Sequence, residues 1–136
     1  MTDISVTAAS VTWVSGVRES KGIAGATITP GQAVYLDTTT NTYKLADANV
    51  AAAAVVAGVS LDSAVSGRPF LFAPPGAVIN FGATLAAGTI YELSETAGGI
   101  CPSADIGTGV YVNVIAIGAG TGNAEIIAKL GAAVHA

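Results

Sequence analysis

The fold is decided by a stretch in the first half of the chain, which reads ATITPGQAVYLDTTTNTYKLADA from residue 26 to residue 48. After a Pro-Gly turn, the run 32–37 is rich in apolar and β-branched residues and predicts a strand. The polar run 37–42 predicts a hairpin loop, in which Asn41 tolerates a left-handed backbone. Residues 43–45 return as the partner strand, so the stretch as a whole predicts a β-hairpin.

The same pattern occurs a second time at residues 83–105, which read ATLAAGTIYELSETAGGICPSAD. Aligned residue for residue, the two stretches are identical at these pairs: Ala26 and Ala83, Thr27 and Thr84, Gly31 and Gly88, Leu36 and Leu93, Thr39 and Thr96. Two further segment pairs follow in the same order: 56–61 with 112–117, and 67–73 with 122–128. The conserved order of segments within the chain predicts an internal repeat. The alternative is two hairpins of merely similar composition.

The aligned copies predict which side chains face the core. A glutamate rarely points into a core unpaired, so Glu92 and the aligned Tyr35 are expected to face outward. Side chains alternate between the two faces of a strand. The neighbours in both copies are therefore predicted to face inward: Val34, Leu36, Tyr91 and Leu93.

Short strands separated by Gly and Pro continue along the chain and predict an all-β fold, a small barrel or sandwich with a pseudo-twofold repeat. Further strands are expected at 55–61, 68–73, 77–81, 89–93, 110–117 and 124–130. At most one short helical turn is expected, in the alanine-rich segment 48–57, because ten residues are too few for an independent helix.

The domain organisation follows from the same pattern. Residues 1–24 precede the repeat and are predicted to form an N-terminal strand or arm, with the charged cluster near its end as an exposed loop. Residues 25–136 are predicted to form a single β domain made of two halves, 25–76 and 77–130. Each half is too small to bury its own apolar face, so the halves are expected to share one core.

The composition indicates little surface charge. Of 136 residues, 10% are charged and 51% are hydrophobic, whereas roughly a quarter of the residues of an ordinary soluble domain are charged. One interpretation is that other chains cover part of the surface, because exposed apolar patches mark partner sites. The other is a compact monomer rich in Ala and Gly. The net charge is −4 and the basic residues are scattered singly, so we expect no direct nucleic-acid binding.

Neither a secretion signal nor a membrane span is expected. The N-terminal sequence Met-Thr-Asp-Ile-Ser lacks the basic and apolar regions of a signal peptide. The uncharged stretches 69–91 and 106–124 are interrupted by Pro or Gly, so neither predicts a transmembrane helix. The single cysteine, Cys101, cannot form an intramolecular disulfide, which is typical of a reducing compartment.

No catalytic, cofactor or metal site is expected. His135 is the single histidine and stands next to the C-terminal residue. A catalytic triad would have to use this histidine, and one His with one Cys cannot supply the four ligands of a structural zinc site, so neither site is expected. Cys101 is interpreted as a small buried hydrophobic residue. The glycine-rich run 118–122 precedes another strand pattern instead of a helix, so it predicts a hairpin loop and not a phosphate loop.

Six side chains are candidates for contact with a partner: Trp13, Arg18, Lys21, Tyr35, Phe70 and Phe72. Trp and Arg are enriched at the energetic centres of interfaces, although core packing is the alternative for Trp13. Phe70 and Phe72 share one face of a strand, and Leu71 takes the other. A strand that is apolar on both faces is buried on both, either in the core or against another subunit.

The pattern T-x-x-P-G-Q-A-V-Y-L-D, followed by K-L-A-D-A, V-V-A-G-V-S-L-D-S-A and S-G-R-P-F-L-F-A, resembles the capsid decoration, or cement, proteins of tailed bacteriophages. The resemblance covers residues 26–73 well and residues 83–128 more loosely. It implies a non-enzymatic β-rich protein, made in the host cytoplasm, on the outer capsid surface of the virion. It further implies a homotrimer at three-fold or quasi-three-fold positions, with the major capsid protein as partner.

Two other classes of function remain open from the sequence. A tail-fibre, spike or carbohydrate-binding β module would present exposed aromatic platforms, for which Trp13 and Tyr35 are the candidates. An enzyme of another type would need convergent His, Cys or carboxylate side chains, and the sequence offers few of them.

Overall fold

Eleven β-strands and short 3-10 turns make up the part of the chain that the structure describes. It is a computed structural model, and it describes residues 3–4, 6–83, 85–103, 106, 109–120 and 122–134. The strands are β1 (Thr12–Gly16), β2 (Ser20–Ile23), β3 (Ala33–Asp37), β4 (Thr42–Leu45), β5 (Val56–Ser60), β6 (Pro69–Ala73), β7 (Ala77–Asn80), β8 (Ile90–Leu93), β9 (Ile100–Pro102), β10 (Tyr111–Gly120) and β11 (Asn123–Val134). The predicted all-β fold is confirmed.

The strands form two sheets. The smaller one has five strands in the order β2-β6-β5-β3-β4 and closes into a small barrel. A parallel bridge between Ala24, which follows β2, and Tyr43 of β4 joins the two ends of the sheet. The Gly25 amide donates a hydrogen bond to the Tyr43 carbonyl at 2.7 Å. The two ends of the sheet therefore meet at this point, as the strands of a closed barrel do.

The interior of this barrel is filled by an aromatic cluster. Phe70 and Phe72 are 2% and 5% exposed, and their ring centroids lie 5.8 Å apart. Tyr43 packs against both rings, at 5.8 Å and 4.9 Å. The prediction that Phe70 and Phe72 contact a partner is therefore wrong, because these side chains fill the barrel of their own chain.

The remaining strands form a six-stranded sheet in the order β1-β7-β11-β10-β8-β9, with every pair antiparallel. The segment 74–76, at the end of the predicted first half, connects β6 of the barrel to β7 of this sheet. A second, larger apolar cluster lies between the barrel and the sheet. It includes Ala33, Val59 and Ala73 from the barrel and Ile79, Leu93 and Ile126 from the sheet.

The two sheets share an order of strands. Five strands of the six-stranded sheet, β9-β8-β10-β11-β7, correspond in order of connection to β4-β3-β5-β6-β2 of the barrel. The hairpin registers also correspond, since Tyr35 pairs with Lys44 and the aligned Glu92 pairs with Cys101. The correspondence is what a duplication would produce, and the repeat itself stays a prediction.

The predicted burial pattern is confirmed at Val34, Tyr91 and Leu93, all of which are buried. It is wrong at Leu36, which is 37% exposed, and at Glu92, which is 4% exposed. Leu36 pairs with Tyr43 of β4, and the structure gives no physical reason for its exposure.

The half-buried Tyr35, predicted to face outward, instead packs against the cluster between the barrel and the sheet. Its neighbour Val34 belongs to the cluster inside the barrel. β3 therefore has an apolar environment on each face, which the assumption of one solvated face did not allow for.

The lead-in 1–24 contributes a strand to each sheet, because β1 pairs with β7 and β2 pairs with β6. The charged segment predicted as a loop is thus partly strand, with Lys21 inside β2. In the segment 48–57 the helical element is the 3-10 turn Ala52–Ala54, and a second such turn occurs at Ala8–Ser10.

Two of the predicted turns are built as the sequence indicates. One is at Asn41, which has a φ of 57°; the other is at Gly98, which aligns with Asn41 in the second stretch, is expected to form the corresponding turn, and has a φ of 76°. Both have the left-handed backbone that hairpin turns require. His135 and the repeat position Thr84 lie outside the described residues.

Candidate functional site

The end of β1 and the loop after it bring two predicted partner residues together. The guanidinium carbon of Arg18 lies 4.1 Å from the centre of the Trp13 ring. The Trp13 indole Nε1–H donates a hydrogen bond to the Val17 carbonyl at 2.9 Å, and Arg18 forms an ion pair with Glu19 at 3.0 Å. Trp13, Val14, Val17 and Arg18 are called the Trp13 surface below.

Local backbone geometry explains why these side chains meet. A bulge between Trp13 and Ser15 interrupts the pairing of β1 with β7, and Gly16 follows with a φ of 81°. Positive φ costs glycine little, so the chain turns sharply here as it leaves one sheet for the other. The Val17 amide then donates to the Gly76 carbonyl at 3.1 Å, which fixes the loop against the segment between the sheets.

The Trp13 surface is apolar, exposed and partly rigid. Val14 is 42% exposed and Val17 is 51% exposed. Trp13 is half-buried and packs against the cluster between the barrel and the sheet, so its position is fixed by the core. A cation above an aromatic ring at an exposed site contributes about 0.5–1 kcal/mol, which holds Arg18 in place without removing it from solvent. This arrangement suits recognition of another molecule.

The other predicted partner residues lie elsewhere. Lys21 is exposed on β2, and no described contact joins it to Trp13. Tyr35 lies on β3 and lines a groove of about 450 Å³. The groove also contains Leu36 and Val55, which is 54% exposed. Sequence reasoning missed Val55 because it was assigned to the start of a strand, whereas it lies just before β5.

The rim of this groove carries an ion pair. Lys44 Nζ lies 2.7 Å from Asp37 Oδ2, and the Thr39 amide donates to Asp37 Oδ1 at 3.0 Å. The hydrogen bond from Lys44, with help from the Thr39 amide, lowers the pKa of Asp37 below its usual value of 3.8. The hydrogen bond and charge of Asp37 raise the pKa of Lys44 above its usual 10.5.

The pair is therefore expected to titrate outside the neutral range. The stabilisation from Asp37 is present above its unfolded-state pKa and is lost as the pH falls through the lowered folded-state pKa. That from Lys44 is present below its unfolded-state pKa and is lost as the pH rises through the raised value. In a carbon-detected NMR titration, Lys44→Met should move the Asp37 midpoint back up toward 3.8. Lys21→Met is the control and should leave the Asp37 midpoint unchanged. If Lys44→Met also left that midpoint unchanged, the ion pair between Asp37 and Lys44 would be contradicted.

A second cavity, of about 260 Å³, lies beside the N-terminal segment. The Ile4 amide donates to the Ile100 carbonyl at 2.8 Å and holds this segment against β9. Asp3 and Gln32 supply polar groups to the lining, and the Oδ1 atom of Asp3 is buried without a hydrogen-bond partner. One half-buried carboxylate in a cavity lined mainly by small residues gives no arrangement for acid–base chemistry, which needs two groups held together.

Glu92 was expected to face outward, but its carboxyl group lies in the interior. It is buried on β8, where the Ser103 hydroxyl donates a hydrogen bond to its Oε2, and its Oε1 has no hydrogen-bond partner among the described residues. Its cross-strand neighbours are Cys101 and Val114. Within the described ranges, no group of three or more His, Cys, Asp or Glu side chains could hold a metal ion. In the same ranges, no helix is long and apolar enough to span a membrane.

Comparison with known proteins adds no identification. No protein-family model, no curated protein and no solved structure matches this chain.

Proposed function

We propose that this chain is a non-enzymatic structural protein that decorates and stabilises the outer capsid of a tailed bacteriophage. It acts as a homotrimer at three-fold or quasi-three-fold positions and binds the major capsid protein. The observation that supports this proposal most is the Trp13 surface, where an exposed apolar pair stands beside a fixed Trp–Arg stack. Trp and Arg are the side chains that most often dominate interface energies.

The architecture also suits a decorating role. A barrel with a packed aromatic interior shares a second core with a six-stranded sheet, so the body that carries the Trp13 surface is stiff. A trimer presents three such surfaces to one shell. Because the second and third contacts form at a high effective concentration, each contact can be weak and the assembly still binds tightly.

A carbohydrate-binding module is less well supported. Sugar rings stack on a free aromatic face, whereas Arg18 covers one face of the Trp13 ring. Tyr35, the other candidate platform, is half-buried against the core. A glycan array that captured the protein strongly, with no binding to capsids, would favour this alternative over the capsid proposal.

Binding to capsids assembled without this chain is the direct test. The protein should co-sediment with such capsids at saturation, and its mass in solution should be that of three 13.3 kDa chains, about 40 kDa. Arg18→Ala should weaken binding by roughly 10- to 30-fold, the loss expected when an interface arginine of 1.4–2 kcal/mol is removed.

Arg68→Ala is the matched control, because Arg68 is also exposed but lies just before the barrel strand β6, in the other sheet. It should bind as the unaltered protein does. Absence of capsid binding by the unaltered protein would refute the proposed function. If Arg18→Ala and Arg68→Ala changed capsid binding equally, the proposed decorating function would stand, but the Trp13 surface would not be the site that binds the capsid.

A further inference from the structure

A carboxylate with no counter-ion among the described residues lines the cavity of about 260 Å³ beside the N-terminal segment. It belongs to Asp3, and its Oδ1 atom is enclosed and accepts no hydrogen bond in the part of the chain that the structure describes. Charged groups that leave water are normally paired, because the loss of hydration destabilises an isolated charge. A cation from outside the chain would therefore stabilise this carboxylate.

The backbone around the cavity holds this carboxylate in place. The Ile4 amide donates to the Ile100 carbonyl at 2.8 Å, which fixes the residue after Asp3 against β9. Gly99 lies beside the Oδ2 atom of Asp3, and a Cβ built on Gly99 would stand 2.5 Å from that atom. The absence of a side chain at Gly99 therefore leaves the room that the carboxylate occupies. Because Oδ1 is enclosed, a ligand in the cavity would meet the carboxylate through Oδ2.

The cavity offers a poor ligand set for a bare metal ion. A calcium ion takes about six to eight oxygen ligands, and a magnesium ion requires a nearly ideal octahedron. The carbonyls of Thr96, Gly98 and Ile100 already accept hydrogen bonds from backbone amides. The Gln32 Oε1 atom likewise accepts one from the Thr29 amide at 2.9 Å. One carboxylate is therefore the charged ligand that the described lining supplies, which suits a singly charged group better than a divalent metal ion.

The walls of the cavity favour an organic cation. Apolar side chains line it next to the carboxylate, from Ile4, Val6, Pro30 and Ile100. An apolar cavity of about 150 Å³ already admits a ring of six carbon atoms, so this one has room for a short aliphatic chain. An ammonium group has three N–H donors and no acceptor, which matches a carboxylate that lacks a donor.

We infer that this cavity binds an ammonium group carried on a short aliphatic chain. The ammonium group donates to Oδ2 of Asp3, and the aliphatic chain lies against the apolar wall. A hydrogen bond between two charged groups is roughly twice as strong as one between neutral groups, so the carboxylate selects for the charge. Free aliphatic amines and the lysine side chain share this chemistry. The inference is independent of the decorating function.

An NMR titration of the full chain with n-butylammonium chloride tests the inference. The amides of residues 31–32 and 98–100, which surround the cavity, should shift and saturate with a Kd on the order of 1 mM, as expected for a ligand of so few atoms. 1-Butanol has the same length without the charge and should bind at least about 10-fold more weakly, because it cannot form the charged hydrogen bond.

Two substitutions test the role of the carboxylate. Asp3→Asn keeps the shape of the side chain, removes its charge and should weaken n-butylammonium binding at least about 10-fold. Gly99→Ala places a methyl group against Oδ2 and should weaken binding at least about 3-fold by displacing the carboxylate. Glu125→Gln is the matched control, because Glu125 is an exposed acid on β11 outside the cavity lining, and it should bind normally. Circular dichroism checks that each variant folds, and Asp3→Asn decides the question if Gly99→Ala does not.

Three results would overturn the inference: no saturable shift with n-butylammonium, equal binding of n-butylammonium and 1-butanol, or unchanged binding by Asp3→Asn. Calcium chloride that shifted the same amides, where n-butylammonium did not, would also overturn it in favour of a metal site. N-acetyl-lysine amide distinguishes the two sources of the ammonium group. If it binds as tightly as n-butylammonium, the cavity accepts a lysine side chain of another protein; if it does not bind, the cavity accepts a free amine.

Discussion

Phe70→Ala is expected to lower the free energy of unfolding by about 3–5 kcal/mol, the range observed when a buried phenylalanine is truncated. Phe70 is 2% exposed and lies inside the barrel, where its ring packs against those of Tyr43 and Phe72. The barrel wall is closed by backbone hydrogen bonds and by the bridge at Ala24, so it cannot collapse far into the space that the missing ring leaves. The cavity term is therefore expected to be large.

Urea unfolding followed by circular dichroism measures this loss as a change in midpoint at constant slope. Phe70→Leu refills most of the volume and should cost about half as much or less. Tyr111→Ala, at an aromatic that is 36% exposed, is the matched surface control and should change stability by no more than about 1 kcal/mol. Equal losses for the barrel and surface substitutions would contradict the assignment of Phe70 to a closed interior.

The hairpins were predictable because their signals are local. The turn at Asn41 needs a residue that tolerates positive φ, and the register between Tyr35 and Lys44 then follows from the length of the loop. Closure of the barrel was not predictable in this way. It depends on contact between Ala24 and Tyr43, which are distant in sequence and carry no local mark of pairing.

Closure also explains the errors in burial. Alternation of side chains identifies two faces of a strand but not what covers each face. Val34 faces the barrel interior and Tyr35 faces the second cluster, so β3 has no solvated face at these positions. The strand that carries Phe70 and Phe72 is apolar on both faces, which left burial in the core or against another subunit open. In the structure both side chains are buried in the core.

Two residues of the Trp13 surface were predicted from the sequence, but their arrangement was not. Trp13 and Arg18 are side chains typical of interfaces, but their contact depends on the bulge in β1 and on the turn at Gly16. Neither feature is encoded by a pattern of hydrophobicity. The exposure of Val14 and Val17 likewise follows from the position of β1 at the end of the sheet, which is a property of the whole topology.

Ser103→Ala is expected to lower the free energy of unfolding by about 1–3 kcal/mol, the range for leaving a buried acceptor without its donor. Glu92 is 4% exposed, and the Ser103 hydroxyl is the donor to its Oε2. Oε1 is buried and has no partner among the described residues, so the substitution would remove the described side-chain donor from the whole carboxylate. An acceptor left without a donor in the interior retains its full desolvation cost.

A double-mutant cycle isolates this interaction. In a Glu92→Leu background the acceptor is absent, so Ser103→Ala should cost less than about 0.5 kcal/mol. Ser103→Thr keeps the hydroxyl and should preserve most of the stability of the unaltered protein. If Ser103→Ala cost the same in both backgrounds, the hydroxyl would act through packing alone. The buried Glu92 side chain would then have to be stabilised by contacts other than its hydrogen bond with Ser103.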